Sequence, residues 1–556
     1  NIDHRAGVAG EPALDELTSL LGVGQGTNLM TLGKGTSVLV IGADPEEEAP
    51  LYILRLRGIL NRGGEVNVVN PYPTKLDRLA TRVLHPRAGT GPQLVLAMIS
   101  VIIQENLQKD DFITARLRGV DELRRGLGRL SLADLVATTG VPEDTIRALA
   151  RSFANAENGI IVYGRTALSI GPALTQALAN LALITGKVGR PNNGLIALTS
   201  DGNTRGALDM GLRPDFGPGG AALAQPGLSA REMWGAAVEG RLRGMYIAGL
   251  NPARGDPAAA QALEALEFLV VQDLFMTETA QLADVVLPAA SFAEREGTFT
   301  NAERRVQRFR QARRAENTRA DWLIFQDVAR AVREIVPAPA APAAEPKKSA
   351  RSRAAATTAQ AAAPPPTVTW DYVTSSDVAD EISRVVQGYA GTSYTSLTLT
   401  RKSWGRQSNE AFYYDGTSYE NTEGVGIQMP ALADDGKSTF AITFYDPPQP
   451  AADERYPLAL MTLARLYSGG EWARGSTLQP HVPPAHIILS MADAQRLGVG
   501  MGEKVQVKSV AGVLELPAQV DAGLAEGLAL IPIVRGAEAP AIVTGGLTRV
   551  AVSKPE

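Results

Sequence analysis

Short, continuously apolar runs alternate with helical stretches along this chain, and that rhythm limits the folds open to it more than any other feature. Residues 37–43 read SVLVIGA; a run without polar alternation suits a parallel strand covered on both faces. A helix is expected from about residue 47 to 61, stopped by Gly63-Gly64, and residues 65–70 (EVNVVN) supply the next strand. The unit is strand–helix–strand, right-handed by default. The same order returns as a helix over 142–155, a strand over 159–163 (GIIVY) and a helix over 171–185. It returns again as helix 231–239, strand 244–248 (GMYIA), a helix near 257–266 and strand 268–271. Alternation of this kind predicts doubly wound, Rossmann-like α/β domains.

At 556 residues the chain exceeds a single core. The pattern divides it into an α/β domain over 1–200, a second over 201–335, a linker over 336–366, a connecting region over 367–450 and a β-rich unit over 451–556. The linker, VPAPAAPAAEPKKSARSRAAATTAQAAAPPP, is alanine and proline with a few charges. Such a composition buries too little surface to offset chain entropy, and extended it reaches roughly 90 Å at about 3.1 Å per residue. Residues 367–445 carry no clear pattern. Beyond residue 456, short β segments at 458–462, 485–490, 504–510, 513–520 and 528–532, with turns at GVGMG (498–502) and Gly512, predict an all-β barrel.

Composition narrows function. The net charge of −5 leaves no basic patch for nucleic acid. No apolar run reaches the roughly 18 residues of a membrane span; the greasiest helical stretch, 94–103, has the length of a core helix. Without cysteine, these residues hold no disulfide, zinc thiolate or cysteine-ligated cluster. The four histidines, His4, His85, His481 and His486, are scattered except for the last pair, and lack the partners of a metal site. No secretory leader stands at the start, and NIDHRAGVAG reads as the interior of a domain, so a longer subunit extending upstream is expected.

Residues 268–307, FLVVQDLFMTETAQLADVVLPAASFAEREGTFTNAERRVQ, combine a buried strand into Asp273, a short helix with Thr277, Glu278 and Thr279, a second apolar run, a polar turn, Glu296-Gly297-Thr298, and Asn301-Ala302-Glu303-Arg304-Arg305. The stretch resembles the molybdenum bis-pterin oxidoreductases, the group of formate dehydrogenase, nitrate reductase and dimethyl-sulfoxide reductase. VIGADPEEEAP (40–50), PRAGTG (86–91), LALITGKVGRPNNG (181–194), DGNTRGALDMG (201–211), MYIAGLNP (245–252), PPAHIILSMADA (483–494) and LGVGMGEKVQV (497–507) extend the likeness. It implies Rossmann-like domains closed by a double-psi-type β-barrel. Within the group, MTLGKGTSVLVIGADPEEEAPLYILRLR (30–57) is similar to the G subunit of bacterial NADH:quinone oxidoreductase, respiratory complex I. That resemblance implies a non-catalytic portion without cofactor or metal in this chain. It also implies FMN- and iron–sulfur-bearing partner subunits of the peripheral arm, and a place on the cytoplasmic side of the bacterial inner membrane.

The same resemblance marks lost positions. The metal ligand of formate-dehydrogenase-like relatives aligns with Ala9 and their adjoining histidine with Gly10, which leaves Glu11 as the nearest side chain able to ligate. An active-site arginine aligns with Thr199 or Ser200. Asn251, Asp273, Thr277 and Glu278 are the implied vestigial contacts of a pterin cleft. Independently, Asp44, Glu46, Glu47 and Glu48 crowd a helix start. Acids there favour the helix and would repel a diphosphate seeking the same amides, so a self-capped helix is expected. The alternative kept open is a molybdenum or tungsten bis-pterin oxidoreductase, formate dehydrogenase-like, with an atypical ligand such as Glu11.

Overall fold

The structure, a computed structural model, describes residues 1–4, 20–199, 201–335, 370–386, 388–399, 426–431, 436–449, 453–463, 465–466, 470–532, 542–543 and 547–555. Ala9, Gly10, Glu11, Ser200 and the expected linker lie outside them.

Five strands, β1 (Thr36–Ile41), β2 (Glu65–Val69), β3 (Arg82–Leu84), β4 (Asn158–Tyr163) and β5 (Gly194–Ala197), form one parallel sheet in the order β3-β2-β1-β4-β5. All six residues of β1 are buried, and the pleat divides them. Val38 and Val40 face a core shared with Leu56 and Ile59. Leu39 and Ile41 face the opposite core. The helix expected over 47–61 is two helices, α1 (Pro45–Glu48) and α2 (Leu51–Asn61). Pro50 separates them because it brings no N–H to a continuing helix and its ring crowds the preceding turn. The far face is covered by α3 (Gly91–Gln104), α4 (Glu143–Asn155) and α5 (Pro172–Ile184). The apolar stretch 94–103 is thus a core helix, and no described helix is long and apolar enough to cross a membrane. The strand order reverses between β1 and β4, and such a switch point opens a crevice at the carboxyl ends of the strands.

Past β5, α6 (Thr204–Asp209) and α7 (Ala230–Val238) lead into a second parallel sheet. It comprises β6 (Gly244–Ala248), β7 (Phe268–Asp273) and β8 (Val285–Pro288), in the order β8-β7-β6. Trp234 of α7 and Ala259, Ala262 and Leu263 of α8 (Pro257–Glu264) pack on its Leu269 and Val271. The short helix read around 277–279 is α9 (Glu278–Gln281), with Thr277 as its cap: Thr277 Oγ1 accepts from the Ala280 amide at 3.1 Å. The reversal read at Glu296-Gly297-Thr298 falls instead at 301–304, between β9 (Gly297–Thr300) and the antiparallel β10 (Arg305–Phe309). Asn301 explains the shift, since its Oδ1 accepts from the amides of Glu303 (3.0 Å) and Arg305 (2.9 Å).

Near the C-terminus, β11 (Leu458–Leu463), β12 (Ile487–Ser490), β13 (Lys504–Lys508), β14 (Val513–Asp521), β15 (Leu528–Pro532) and β16 (Thr548–Ser553) close into a barrel in the order β11-β15-β12-β14-β13-β16. Closure leaves no strand edge. The barrel packs on the first domain through Tyr72, which sits among Ala459, Met461 and Ile488.

Candidate functional site

Three side-chain clusters lie at the carboxyl ends of the two parallel sheets. The first is a cavity of about 140 Å³ where the chain leaves β5, closed over by the β9–β10 hairpin. Tyr52, Thr199, Asp201, Arg205, Asn301 and Arg304 are among its lining residues. Thr199 is therefore in a cavity, with its hydroxyl donating to the Asp201 carbonyl at 3.0 Å. The sequence reading missed the positive charges here. Arg205, on α6, pairs with Asp209 one turn on, Nε to Oδ2 at 3.1 Å. Asp209 Oδ2 also accepts from the Tyr389 hydroxyl at 3.0 Å. Arg304 is buried, and its Nε and Nη1 have no hydrogen-bond partner among the described residues. Burial, reinforced by the neighbouring Arg205, lowers its pKa to about 10, which leaves it charged at neutral pH. Arg304 and Arg305 belong to the polar segment 301–305 read in the sequence; that Arg304 is the buried one is decided by the hairpin.

The second cluster lies beyond β6 and β7. Asn251 donates through Nδ2 to Glu278 (2.7 Å) and Glu471 (2.9 Å), and its Oδ1 accepts from the Thr279 amide at 3.1 Å. Arg254 and Arg474 both pair with Glu471 at 3.0 Å, and Arg474 reaches Glu278 at 3.0 Å. Burial opposes ionisation of Glu278 and Glu471, but Asn251 and the arginines hold both carboxylates below their ordinary range. Asn251 and Glu278 thus meet as expected. Asp273 turns to its own loop, accepting from the amides of Leu274 (2.6 Å) and Phe275 (3.2 Å), and Thr277 is spent on its helix cap. Arg254, Glu471 and Arg474 come from a segment remote in sequence or from unmarked loop positions, and only folding joins them. Trp472, half exposed, is edge-on to Phe275 and Phe292 with ring centroids at 5.2 and 5.3 Å.

The third cluster is the acid run after β1, and it corrects the self-capping expectation. The Asp44 side chain makes no cap bond; Glu48 folds back, accepting from the Asp44 amide with Oε1 and from the Arg165 amide with Oε2, both at 2.8 Å. Helix α1 is too short to need more. Burial raises the Asp44 pKa to about 6, helped by the charge of Glu47, and raises that of Glu48 to about 7. Glu47 faces the barrel, pairing with Arg465 at 3.1 Å and accepting from the Leu466 amide at 3.0 Å. Lys75 takes Glu46 at 3.0 Å.

Residues 19–331 match the molybdopterin oxidoreductase family, and residues 458–553 match the Molydopterin dinucleotide binding domain. The chain belongs to the molybdopterin oxidoreductase family. F420-dependent formate dehydrogenase 2 subunit alpha of Methanococcus maripaludis is 30% identical over 554 residues, covering 95% of this chain and 76% of that protein. Formate dehydrogenase H of Escherichia coli is 30% identical over 355 residues, 59% of this chain and 50% of that one. Acetylene hydratase from Pelobacter acetylenicus superposes with a TM-score of 0.67 at 17% identity, over 99% of this chain and 81% of that one, which shows a shared fold.

These matches overturn two expectations. The expected non-catalytic role fails, because along nearly its full length the chain matches a formate dehydrogenase alpha subunit, and its family is one of oxidoreductases. The expected lack of a cofactor fails too, because the barrel region matches a domain named for binding the pterin dinucleotide. The likeness to a respiratory complex I component rested on a short phrase around β1; the relatives named here are formate dehydrogenases. At the second cluster Arg254 and Arg474 carry the donors that suit a phosphate and Trp472 an aromatic face, while both Asn251 Nδ2 hydrogens are engaged by Glu278 and Glu471. A dinucleotide does not fit at α1, where the Asp44 amide is taken by the Glu48 carboxylate and the Glu47 and Glu48 amides by the Asp44 carbonyl.

Proposed function

We propose that this chain is the cofactor-bearing subunit of a molybdenum- or tungsten-dependent oxidoreductase of the formate dehydrogenase type. The observation that carries the reading is the cavity beyond β5: it is small, and among the described residues its cation with unfilled donors is Arg304. It stands in a chain aligned along nearly its whole length with a formate dehydrogenase subunit. In the proposed reaction HCOO⁻ yields CO₂, one proton and two electrons. Arg254 and Arg474 would hold the phosphates of the pterin dinucleotide, positioned by Glu471 and Asn251, and Trp472 would cover a ring. Bound there, the group supplies two-electron exchange at its metal. The protein's own contribution at the cavity is electrostatic. Arg205 and Arg304 lower the potential energy of an anion, and the walls formed by Leu195, Ala197 and Tyr52 limit water. With no cysteine in these residues, the protein ligand they offer the metal is not a thiolate, and Glu11 is the side chain proposed for it.

Two electrons must then leave without a thiolate-bound cluster in these residues. We therefore propose a partner carrying flavin or iron–sulfur clusters. Gentle affinity purification should bring down flavin and iron with the chain; recovery of the chain alone would remove the partner proposal.

The catalytic proposal is tested by anaerobic formate-dependent reduction of a viologen dye. Turnover that disappears in Glu11→Ala supports it. Absence of formate-dependent reduction in metal-replete protein contradicts it.

A further inference from the structure

We propose that Tyr389 is a positioning residue of the site, holding the Asp209–Arg205 pair at the wall of the β5 cavity without touching what binds there. The inference rests on the formate dehydrogenase reading only for the reaction in which its effect is measured.

Tyr389 comes from a stretch whose sequence carries no clear pattern. In the fold it lies between α10 (Ser375–Val385) and α11 (Tyr394–Leu399). Its side chain is 2% exposed and packs with Val306, Val386, Leu397 and Met429. A tyrosine so placed buries its ring in apolar contact and needs partners for its hydroxyl. The partners are Asp209 Oδ2 on α6, at 3.0 Å, and Thr300 Oγ1 on β9, at 2.8 Å. The phenol has one hydrogen to give. Asp209 takes it, so the Thr300 hydroxyl donates to the Tyr389 oxygen. Burial, with the Asp209 charge, holds the phenol far above its ordinary pKa and keeps that hydrogen in place. Donors thus converge on Asp209: Arg205 Nε (3.1 Å) and the Tyr389 hydroxyl on Oδ2, and Arg205 Nη2 on Oδ1. Bonds in such a chain polarise and strengthen one another.

The chain of bonds belongs to the frame of the cavity. Arg205 and Thr300 line it; among the described residues, Asp209 and Tyr389 do not. Tyr389 therefore acts through other groups. Helix α6 has six residues and little stability of its own. Its start is tied to β9 by Asn203, whose Oδ1 accepts from the Thr300 amide at 2.8 Å. Its end is tied to the same strand by Tyr389, between Asp209 and Thr300, and this second tie fixes where Arg205 stands. The rest of the segment docks independently. Arg308 of β10 lies over the Tyr394 ring at 3.9 Å and donates to Thr398 Oγ1 at 3.1 Å. Removing the Tyr389 hydroxyl alone should leave α10 and α11 in place.

The test compares Tyr389→Phe, which keeps the ring and loses the hydroxyl, with Asp209→Asn and the double variant, in the full chain purified with its partners. In anaerobic formate kinetics, Tyr389→Phe should raise KM about three- to tenfold and leave kcat within about twofold. Asp209→Asn should raise KM at least as much, and Tyr389→Phe should add almost nothing in the Asp209→Asn background. Amide hydrogen exchange in Tyr389→Phe should quicken at residues 204–211 and 297–304 and stay unchanged at 375–399. Active enzyme with unchanged KM in Tyr389→Phe overturns the proposal. So does a KM effect that adds fully to that of Asp209→Asn, since Tyr389 would then not act through Asp209. Unchanged exchange in both segments overturns it as well. If wild type oxidises no formate, exchange alone decides. Quickening confined to those two segments then upholds Tyr389 as the support of the cavity wall and refutes the formate dehydrogenase reading; quickening spread over 375–399 makes Tyr389 a packing residue and overturns the proposal.

Discussion

Asp44 and Glu48 show how far a residue's meaning depends on what folds over it. In sequence they are acids at a helix start, where solvent and the helix dipole would keep them ionised. In the fold Glu48 is buried and Asp44 largely covered. That desolvation raises Asp44 from its ordinary 3.8 to about 6 and Glu48 from 4.5 to about 7. An acid with a raised pKa binds its proton more tightly folded than unfolded. Its favourable contribution is therefore complete below about pH 4 and is lost as pH rises through about 6 for Asp44 and about 7 for Glu48. Stability should fall across that window. Asp44→Asn removes one of the two charges, so it should flatten the fall and gain roughly 1–3 kcal/mol at pH 8 relative to its effect at pH 4. Urea unfolding at the two pH values measures this; an unchanged slope would show that Asp44 is solvated. The charges of these residues were legible in sequence. Their partners were not, because the Arg165 amide and Arg465 lie more than a hundred residues away along the chain.

Elements with strong local patterns were the legible ones. The uninterrupted apolar run of β1 identified a two-sided strand, and the apolar stretch 94–103 identified the core helix α3. The hairpin β9–β10 was not legible as a hairpin, because glycine at 297 looks like the turn while Asn301 makes it. Asn301→Ala deletes the acceptor for two amides and should cost about 1–3 kcal/mol. It should also raise the KM for formate by releasing Arg304, whereas Asn301→Asp, which keeps the acceptor oxygen, should preserve both. Thermal unfolding and steady-state kinetics on the two variants test the hairpin as the support of the cavity. Equal KM values in wild type and Asn301→Ala would separate the turn from the site.

For the molecule as a whole, the sequence made the scaffold plain and left the chemistry obscure. Repeated α/β units and β-rich punctuation are local patterns, so they survive in a single sequence. The cavity joins segments up to 282 positions apart, from Gly22 to Arg304, and the second cluster joins Asn251 to Glu471, 220 positions on, and no local pattern announces them. The empty thiolate position at Ala9 led towards a silent scaffold, whereas the arginine-lined cavity and the barrel's family match lead to a working one. The barrel is tied to the first domain through Glu47, so Glu47→Ala should speed proteolytic release of the C-terminal unit while leaving the barrel itself folded. Equal release rates would place the docking energy in the apolar contact at Tyr72 instead. The most direct test of the central claim is elemental analysis of the intact complex, purified anaerobically from its own host, with pterin measured after oxidative release. Near one molybdenum or tungsten per chain with accompanying pterin is the expected result. Intact complex holding this chain with neither metal nor pterin would contradict the account.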